Sequence, residues 1–239
     1  MTPPIAWPAP PPAVTLHPHE VHVWRARLDV GPAALAELAA ALAPDEHARA
    51  ARFRFVRDRH RYTAAHGLLR MILGRYLRRD PARLRLAAAP HGKPHLVAAA
   101  GVALLRFNLA HADDLALVAV AWRREVGVDV EREHADRVDL EVARRMFPRE
   151  DVQALEALPP ALRPHAFFAL WTFREACAKG TGLGLADEDA STPPAPWSVR
   201  QLPIDPGYAA ALALERGVAN VRCWEWAPDA GALREAKTA

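Results

Sequence analysis

At 239 residues, with 51% hydrophobic and 25% charged side chains and a formal net charge of +3, the chain can bury one large core or two small ones and has a soluble globular composition. Only two cysteines occur, Cys177 and Cys223, without metal-ligand spacing, which excludes a disulfide scaffold and fits a reducing compartment. No apolar run is long enough to cross a bilayer, and the proline-broken start MTPPIAWPAPPPAV lacks a basic region, so neither a membrane span nor a signal peptide is expected and a cytoplasmic protein is.

Residues 1–18 read as a proline-rich flexible tail. In residues 20–30, Trp24, Ala26, Leu28 and Val30 share one face, the alternation of a strand. Residues 32–43 predict a helix with Pro32 in its first turn, and Pro44 with Asp45 as cap restarts another. Residues 49–79 are rich in arginine, with Phe53, Phe55, Leu68, Leu69, Ile72, Leu73, Tyr76 and Leu77 interleaved. From Asp58 onward the spacing is helical, giving one core face and one arginine face. That face has three readings: a solvated surface, which charge patterning favours, a nucleic-acid interface, or a grip on one small anion.

Residues 83–86 predict a short strand, Gly92, Lys93 and Pro94 a turn, and residues 106–110 an extended piece ending at His111. Asp113 and Asp114 make a turn before residues 115–122, a strand apolar throughout, as a central strand is. Residues 126–130 form the next strand. Residues 140–147, 150–158 and 163–179 have helical spacing, the last stopped by the glycines of GTGLGL. Residues 187–196 read as a loop, and residues 197–202, 208–214 and 218–226 as three strands. LALVAVAW and YAAALALE echo each other, which suggests two similar α+β halves with a cleft between them.

Two features carry chemistry. In VGVDVE, Asp129 and Glu131 stand two apart on a strand and so point the same way. Their apolar neighbours penalise an uncompensated charge. A divalent cation is one partner for the pair, since Mg²⁺ takes one or two carboxylates together with phosphate oxygens. Nearby Arg123, Arg124 or Arg132 is the other. On the long helix, Glu175 and Lys179 stand four apart and share a face, where an ordinary surface ion pair is the plainer reading. The chain has 28 arginines and three lysines, Lys93, Lys179 and Lys237, the bias of a GC-rich bacterial genome. A lysine retained against that bias is singled out, because arginine does not reproduce its compact, titratable ammonium.

Four segments follow in one order: GKPHL, FNLAHA, VGVDVE and WTFREACAKGTGLGL. Together they resemble the surfactin-synthetase-activating type of 4′-phosphopantetheinyl transferase, at motif level over residues 43–185. The resemblance implies an α+β pseudodimer of two similar halves with the active site in the cleft between them. Residues 19–123 are then the half with the nucleotide-end contacts and residues 124–228 the half with the metal site and catalytic helix, followed by a tail, 229–239. It implies Mg²⁺-dependent transfer, with Mn²⁺ as the other metal, of the phosphopantetheine arm from coenzyme A to a serine of an acyl or peptidyl carrier protein. Adenosine 3′,5′-bisphosphate is the by-product, and such carriers serve fatty-acid, polyketide and nonribosomal-peptide biosynthesis. A monomer is expected, because one chain supplies both sides of the cleft.

Carried over by motif, Asp129, Glu131 and Glu175 resemble the metal ligands and Lys179 the lysine near the coenzyme A pyrophosphate. His111 and Lys93 resemble contacts to the nucleotide end, as does Arg49 in a looser alignment. Glu175 is also the best-placed base for the carrier serine, and Lys179 stabilises charge on the leaving phosphate. A Mg²⁺-dependent phosphodiesterase and a non-catalytic nucleic-acid-binding module on residues 49–79 are the alternatives. Two departures stand out. Alanines, Ala110 and Ala112, flank His111 where the family has serines, and Arg174 replaces a lysine. The first predicts that Ala110→Ser tightens coenzyme A binding by supplying a donor to the 3′-phosphate.

Overall fold

The structure is a computed structural model that describes residues 7–89, 92–97, 104–182, 197–215 and 220–228. Its first part runs β1 (Glu20–Arg27), α1 (Pro32–Ala40), α2 (Pro44–Ala51), α3 (Val56–Leu77), β2 (Leu86–Ala88), β3 (Pro94–Leu96), β4 (Leu105–Ala112) and β5 (Leu115–Trp122). Then follow β6 (Val126–Arg132), α4 (Leu140–Met146), α5 (Arg149–Ala157), α6 (Arg163–Thr181), β7 (Trp197–Gln201), β8 (Tyr208–Glu215) and β9 (Asn220–Glu225). The α+β class expected from the sequence is the class observed.

A strand apolar on both faces needs cover on both, and β5 has it. Among the described residues it lies within a four-stranded sheet of order β4-β5-β1-β9, a second sheet has the order β6-β8-β7, and β2 pairs with β3. One face of the large sheet sends Trp24, Ala26, Phe107, Val118 and Val120 against Leu38 of α1 and Leu68, Leu69, Ile72 and Leu73 of α3. The other sends Val21, Val23, Leu117 and Ala119 against Val126, Val128 and Val130 of β6 and Leu212 and Leu214 of β8. The far face of the second sheet carries Ala211 and Ala213 under Ala176 of α6. The layers are thus helix, sheet, sheet, helix. Each fully buried leucine-sized side chain in them contributes about 1.5–3 kcal/mol.

Several local expectations change. Residues 81–83 form a 3₁₀ turn capped by Asp80, and the strand begins only at Leu86. The cap of α2 is Ala43, not Asp45, with Glu46 reaching back to accept the Ala43 N–H at 2.9 Å. Residues 7–17 are not a free tail. Val14 and Leu16 pack on the core, Trp7 donates to Pro203 O at 3.0 Å, and Arg75 donates to the carbonyls of Pro11 and Pro12. Proline's missing N–H groups leave those carbonyls as the available partners. Residues 1–6, 183–196 and 229–239 lie outside the described residues, and with them the expected loop and the C-terminal tail.

The arginine stretch divides in two. Arg70 is buried, bonded to Glu46 at 2.5 Å and to the carbonyls of Pro81 and Leu84. Arg61 forms a two-pronged pair with Asp29 at 2.9 and 3.0 Å. Arg52, Arg54, Arg57 and Arg59 face solvent.

Candidate functional site

Two glycines set the distance between α6 and β6. A Cβ on Gly127 would lie 2.0 Å from Ala176 O and 2.4 Å from Gly180 N, and one on Gly180 would strike the Trp197 ring. Without those carbons the helix lies on the strand, as a small-residue contact allows. Residues 127, 129 and 131 of β6 therefore face α6, and α6 turns Glu175 and Lys179 towards them. The helix ends one turn later at Gly182, whose φ of 76° stops it and whose N–H returns to Ala178 O.

At the contact, Lys179 Nζ donates to Asp129 Oδ1 at 2.5 Å. Asp129 is 2% exposed, and its Oδ2 is out of water without a hydrogen-bond partner. Burial pushes the Asp129 carboxyl up to about 7 against the pull of Lys179, with the charges of Glu131 and Glu175 adding to the rise. Glu131 is raised for the same reasons, burial first and then Glu175, while Lys179, Arg137 and a hydrogen bond with Trp171 oppose it. Burial alone would lower Lys179, but Asp129, Glu175 and Glu131 together raise it. Three carboxylates thus crowd one ammonium in a poorly solvated place. Among the described residues no three such groups converge closely enough to hold a metal, and Lys179 occupies the near oxygen of Asp129. The all-oxygen donor set, the mutual repulsion and the orphaned Oδ2 nevertheless fit a hard divalent cation.

His111 lies at the end of β4, exposed but in a crowded part of the surface. That crowding, with His66, Lys179 and Arg61 adding positive charge, lowers its pKa to about 4. The ring is therefore neutral at pH 7 when no anion is beside it, and an adjoining phosphate would favour its protonated form. Arg49 is exposed, its guanidinium 5.8 Å from the Tyr62 ring, which stacks on His66 at 4.1 Å. Lys93, expected at the nucleotide end, is held by partners within the chain. Its ammonium donates to Glu125 Oε2 at 2.7 Å, Gly180 O at 2.7 Å and Val126 O at 3.3 Å, which occupies all three protons.

The alanines beside His111 also differ from expectation. Strand alternation turns residues 110 and 112 to the face opposite His111, and both pack on the apolar layer between the sheets, Ala110 at 4% exposed. A hydroxyl at position 110 would point into that layer, so the expected gain in phosphate binding does not follow. Sequence reasoning gave no role to Trp171, His66 or Asn108, although Trp171 stands one turn before Glu175 on the same helix face and Asn108 lies within FNLAHA.

The sequence matches two family models, one after the other along the chain. The model described as 4′-phosphopantetheinyl transferase, N-terminal, matches residues 30–123, and that described as 4′-phosphopantetheinyl transferase superfamily matches residues 125–226. The chain is 40% identical over 222 residues to the 4′-phosphopantetheinyl transferase HetI of Nostoc sp., covering 87% of this chain and 93% of that one. It is 34% identical over 147 residues to a putative 4′-phosphopantetheinyl transferase, slr0495, of Synechocystis sp., covering 62% and 59%. Over 145 residues it is 25% identical to the 4′-phosphopantetheinyl transferase Sfp of Bacillus subtilis, covering 61% and 62%.

Proposed function

The chain belongs to the 4′-phosphopantetheinyl transferase superfamily and is an enzyme of that class, and from that premise we propose that it moves the phosphopantetheine arm of coenzyme A onto a serine of an acyl or peptidyl carrier protein. Adenosine 3′,5′-bisphosphate leaves. The enzyme acts as a cytoplasmic monomer, with residues 19–123 contacting the nucleotide end and residues 124–228 carrying the chemistry. The observation that carries this reading is the buried Asp129, bonded to Lys179 through one oxygen, unpartnered at the other, with Glu131 and Glu175 beside it.

Attack of a serine hydroxyl on a pyrophosphate needs neutralised charge and in-line alignment more than covalent help. Asp129, Glu131 and Glu175 would hold Mg²⁺, or Mn²⁺ in its place. Bound there, the ion would supply positive charge to offset that of the phosphates. Glu175 takes the serine proton, directly or through a water. Lys179 donates to the phosphate oxygen that gains charge as the bond to the bisphosphate breaks. His111 donates an N–H to the nucleotide end, and Arg49 supplies positive charge nearby.

The test is incubation with an apo carrier protein, coenzyme A and Mg²⁺, read by intact mass of the carrier. A gain of one phosphopantetheine, lost in Asp129→Ala, Glu131→Ala and Glu175→Ala proteins that still fold, supports the reading. Release of free phosphopantetheine without a mass gain would mean that water is the nucleophile and would sink it.

A further inference from the structure

Among the described residues β6 pairs with β8 on one side only, and the backbone groups on its other edge take partners of another kind. That edge runs beside β4, itself the outer strand of the large sheet, and no ladder joins the two strands. Side chains close the gap. Lys93 reaches Val126 O, and Asn108 Oδ1 of β4 accepts the Val128 N–H at 2.9 Å within the core. The N–H donor fixes which end of the Asn108 amide faces β6. Asn108 is 4% exposed and shares the face of β4 turned to the second sheet, while His111, three residues further on, lies on the opposite face of the same strand. Val128 is the residue before Asp129. One amide therefore joins the strand that bears Asp129 and Glu131 to the strand that bears His111.

We propose that Asn108 is a positioning residue for the transfer reaction, its side-chain carbonyl fixing the alignment of β6 against β4. The inference rests on the reading of the site given under Proposed function. Asn108 touches no reacting atom. Its oxygen pairs with the Val128 N–H as a neighbouring strand's carbonyl would, and removing it leaves a buried N–H unpaired until β6 shifts to find another acceptor. The nucleotide end of coenzyme A is bound from β4 and its pyrophosphate is handled from β6 and α6, so a shift between the strands misaligns the two ends. Displacement by about 1 Å costs on the order of a hundredfold in rate.

The experiment compares wild type, Asn108→Ala and Asn108→Asp by three readouts: amide hydrogen exchange, Kd for adenosine 3′,5′-bisphosphate, and kcat for transfer. A carboxyl buried at position 108 protonates and still offers its carbonyl oxygen. For Asn108→Ala the Val128 amide should lose about tenfold or more in protection while the amides of β1 and β5 keep theirs. Its Kd for the bisphosphate, which occupies the nucleotide end alone, should stay within about threefold, and kcat should fall about tenfold or more. Asn108→Asp should restore most of the protection and of kcat.

An unchanged kcat or an unchanged Val128 amide in Asn108→Ala overturns the proposal. So does an Asn108→Asp protein as impaired as Asn108→Ala. Loss of protection throughout the large sheet, with bisphosphate binding lost as well, assigns Asn108 to the stability of the fold and also overturns it. A wild-type protein that transfers nothing to a carrier removes the reading of the site, while exchange at Val128 still decides whether Asn108 clamps β6.

Discussion

Lys179 Nζ lies 2.5 Å from Asp129 Oδ1, and Asp129 Oδ2, shielded from water beside it, has no partner among the described residues. The ammonium satisfies half of a buried carboxylate and leaves the other half to be completed. Removing it strands the whole charge. Lys179→Met should therefore lose up to about 3 kcal/mol at pH 8, at the low end for a broken buried pair because the Lys179 side chain is 33% exposed. Asp129→Asn in the same chain should recover most of that loss. Urea denaturation of the two single variants and the double variant decides it, and additive losses would mean that the two groups are not coupled.

Gly127 is where α6 meets β6. Ala176 O and Gly180 N leave no room for a methyl group there, whereas a Cβ on Gly31 meets nothing within 4 Å. Gly127→Ala should cost about 1–3 kcal/mol and push Lys179 away from Asp129, lowering transfer with it. Gly31→Ala should leave both stability and rate near wild type. Thermal unfolding of the pair tests the contact, and an equally small effect at both glycines would contradict it.

Lys93 holds Val126 O and Gly180 O together, while its carboxylate partner Glu125 is also paired with Arg106 at 2.6 Å. Lys93→Met should lower Tm by several degrees, since two carbonyls lose a charged donor and hydrogen bonds to charged groups contribute roughly 1.5–3 kcal/mol. A wild-type Tm with a raised KM for coenzyme A would instead make Lys93 a ligand contact.

Ala110 faces the layer between the sheets. Ala110→Ser should destabilise the protein by about 1–3 kcal/mol, the cost of an unpaired buried hydroxyl. It should not discriminate between coenzyme A and 3′-dephospho-coenzyme A. Tighter binding of coenzyme A alone would return that side chain to the cleft.

His22 is 1% exposed, and its Nδ1 is hydrogen-bonded to the Tyr76 hydroxyl at 2.7 Å, a hydroxyl that also accepts from Trp24 Nε1 at 2.9 Å. Burial lowers its pKa to about 4; Glu20 resists the shift, and Arg222 and His17 add to it. The unfolded chain takes up this proton near pH 6.5 and the folded protein only near 4. The stability this represents is full above 6.5 and is lost as pH falls through 4, roughly 3 kcal/mol in all. His111 is shifted the same way, so the difference between wild type and His22→Gln isolates His22. The variant should show a shallower fall between pH 6.5 and 4.5 in urea titrations, and an identical slope would exclude His22 as the cause.

The chemistry was legible where it follows from spacing along one element. Asp129 with Glu131 on a strand and Glu175 with Lys179 on a helix each need only the local period to share a face. What the sequence withheld depends on neighbours far along the chain. Nothing near Lys93 marks Val126 and Gly180 as its partners, and nothing near Asn108 shows that a strand edge lies beside it. The direction of Ala110 was available from alternation about His111, but which face the cleft occupies is set by where α3 and α6 pack. The proline-rich start read as free because its partners, Arg75 and the Pro203 carbonyl, are supplied by distant segments.

β9 lies parallel to β1, with Glu20 opposite Asn220 and Arg25 opposite Glu225. Two hundred residues separate these partners, so the ribosome finishes the far side of the first strand last. At about 5–20 residues per second, β1 waits on the order of 10–40 seconds with that edge bare. An uncovered edge beside apolar faces is a template for pairing with other chains. Nascent protein should be most prone to aggregate in this interval, and a stop codon before residue 220 should make the lesion permanent. Such a product would keep every proposed metal ligand and still be lost, because the sheet behind them would never close.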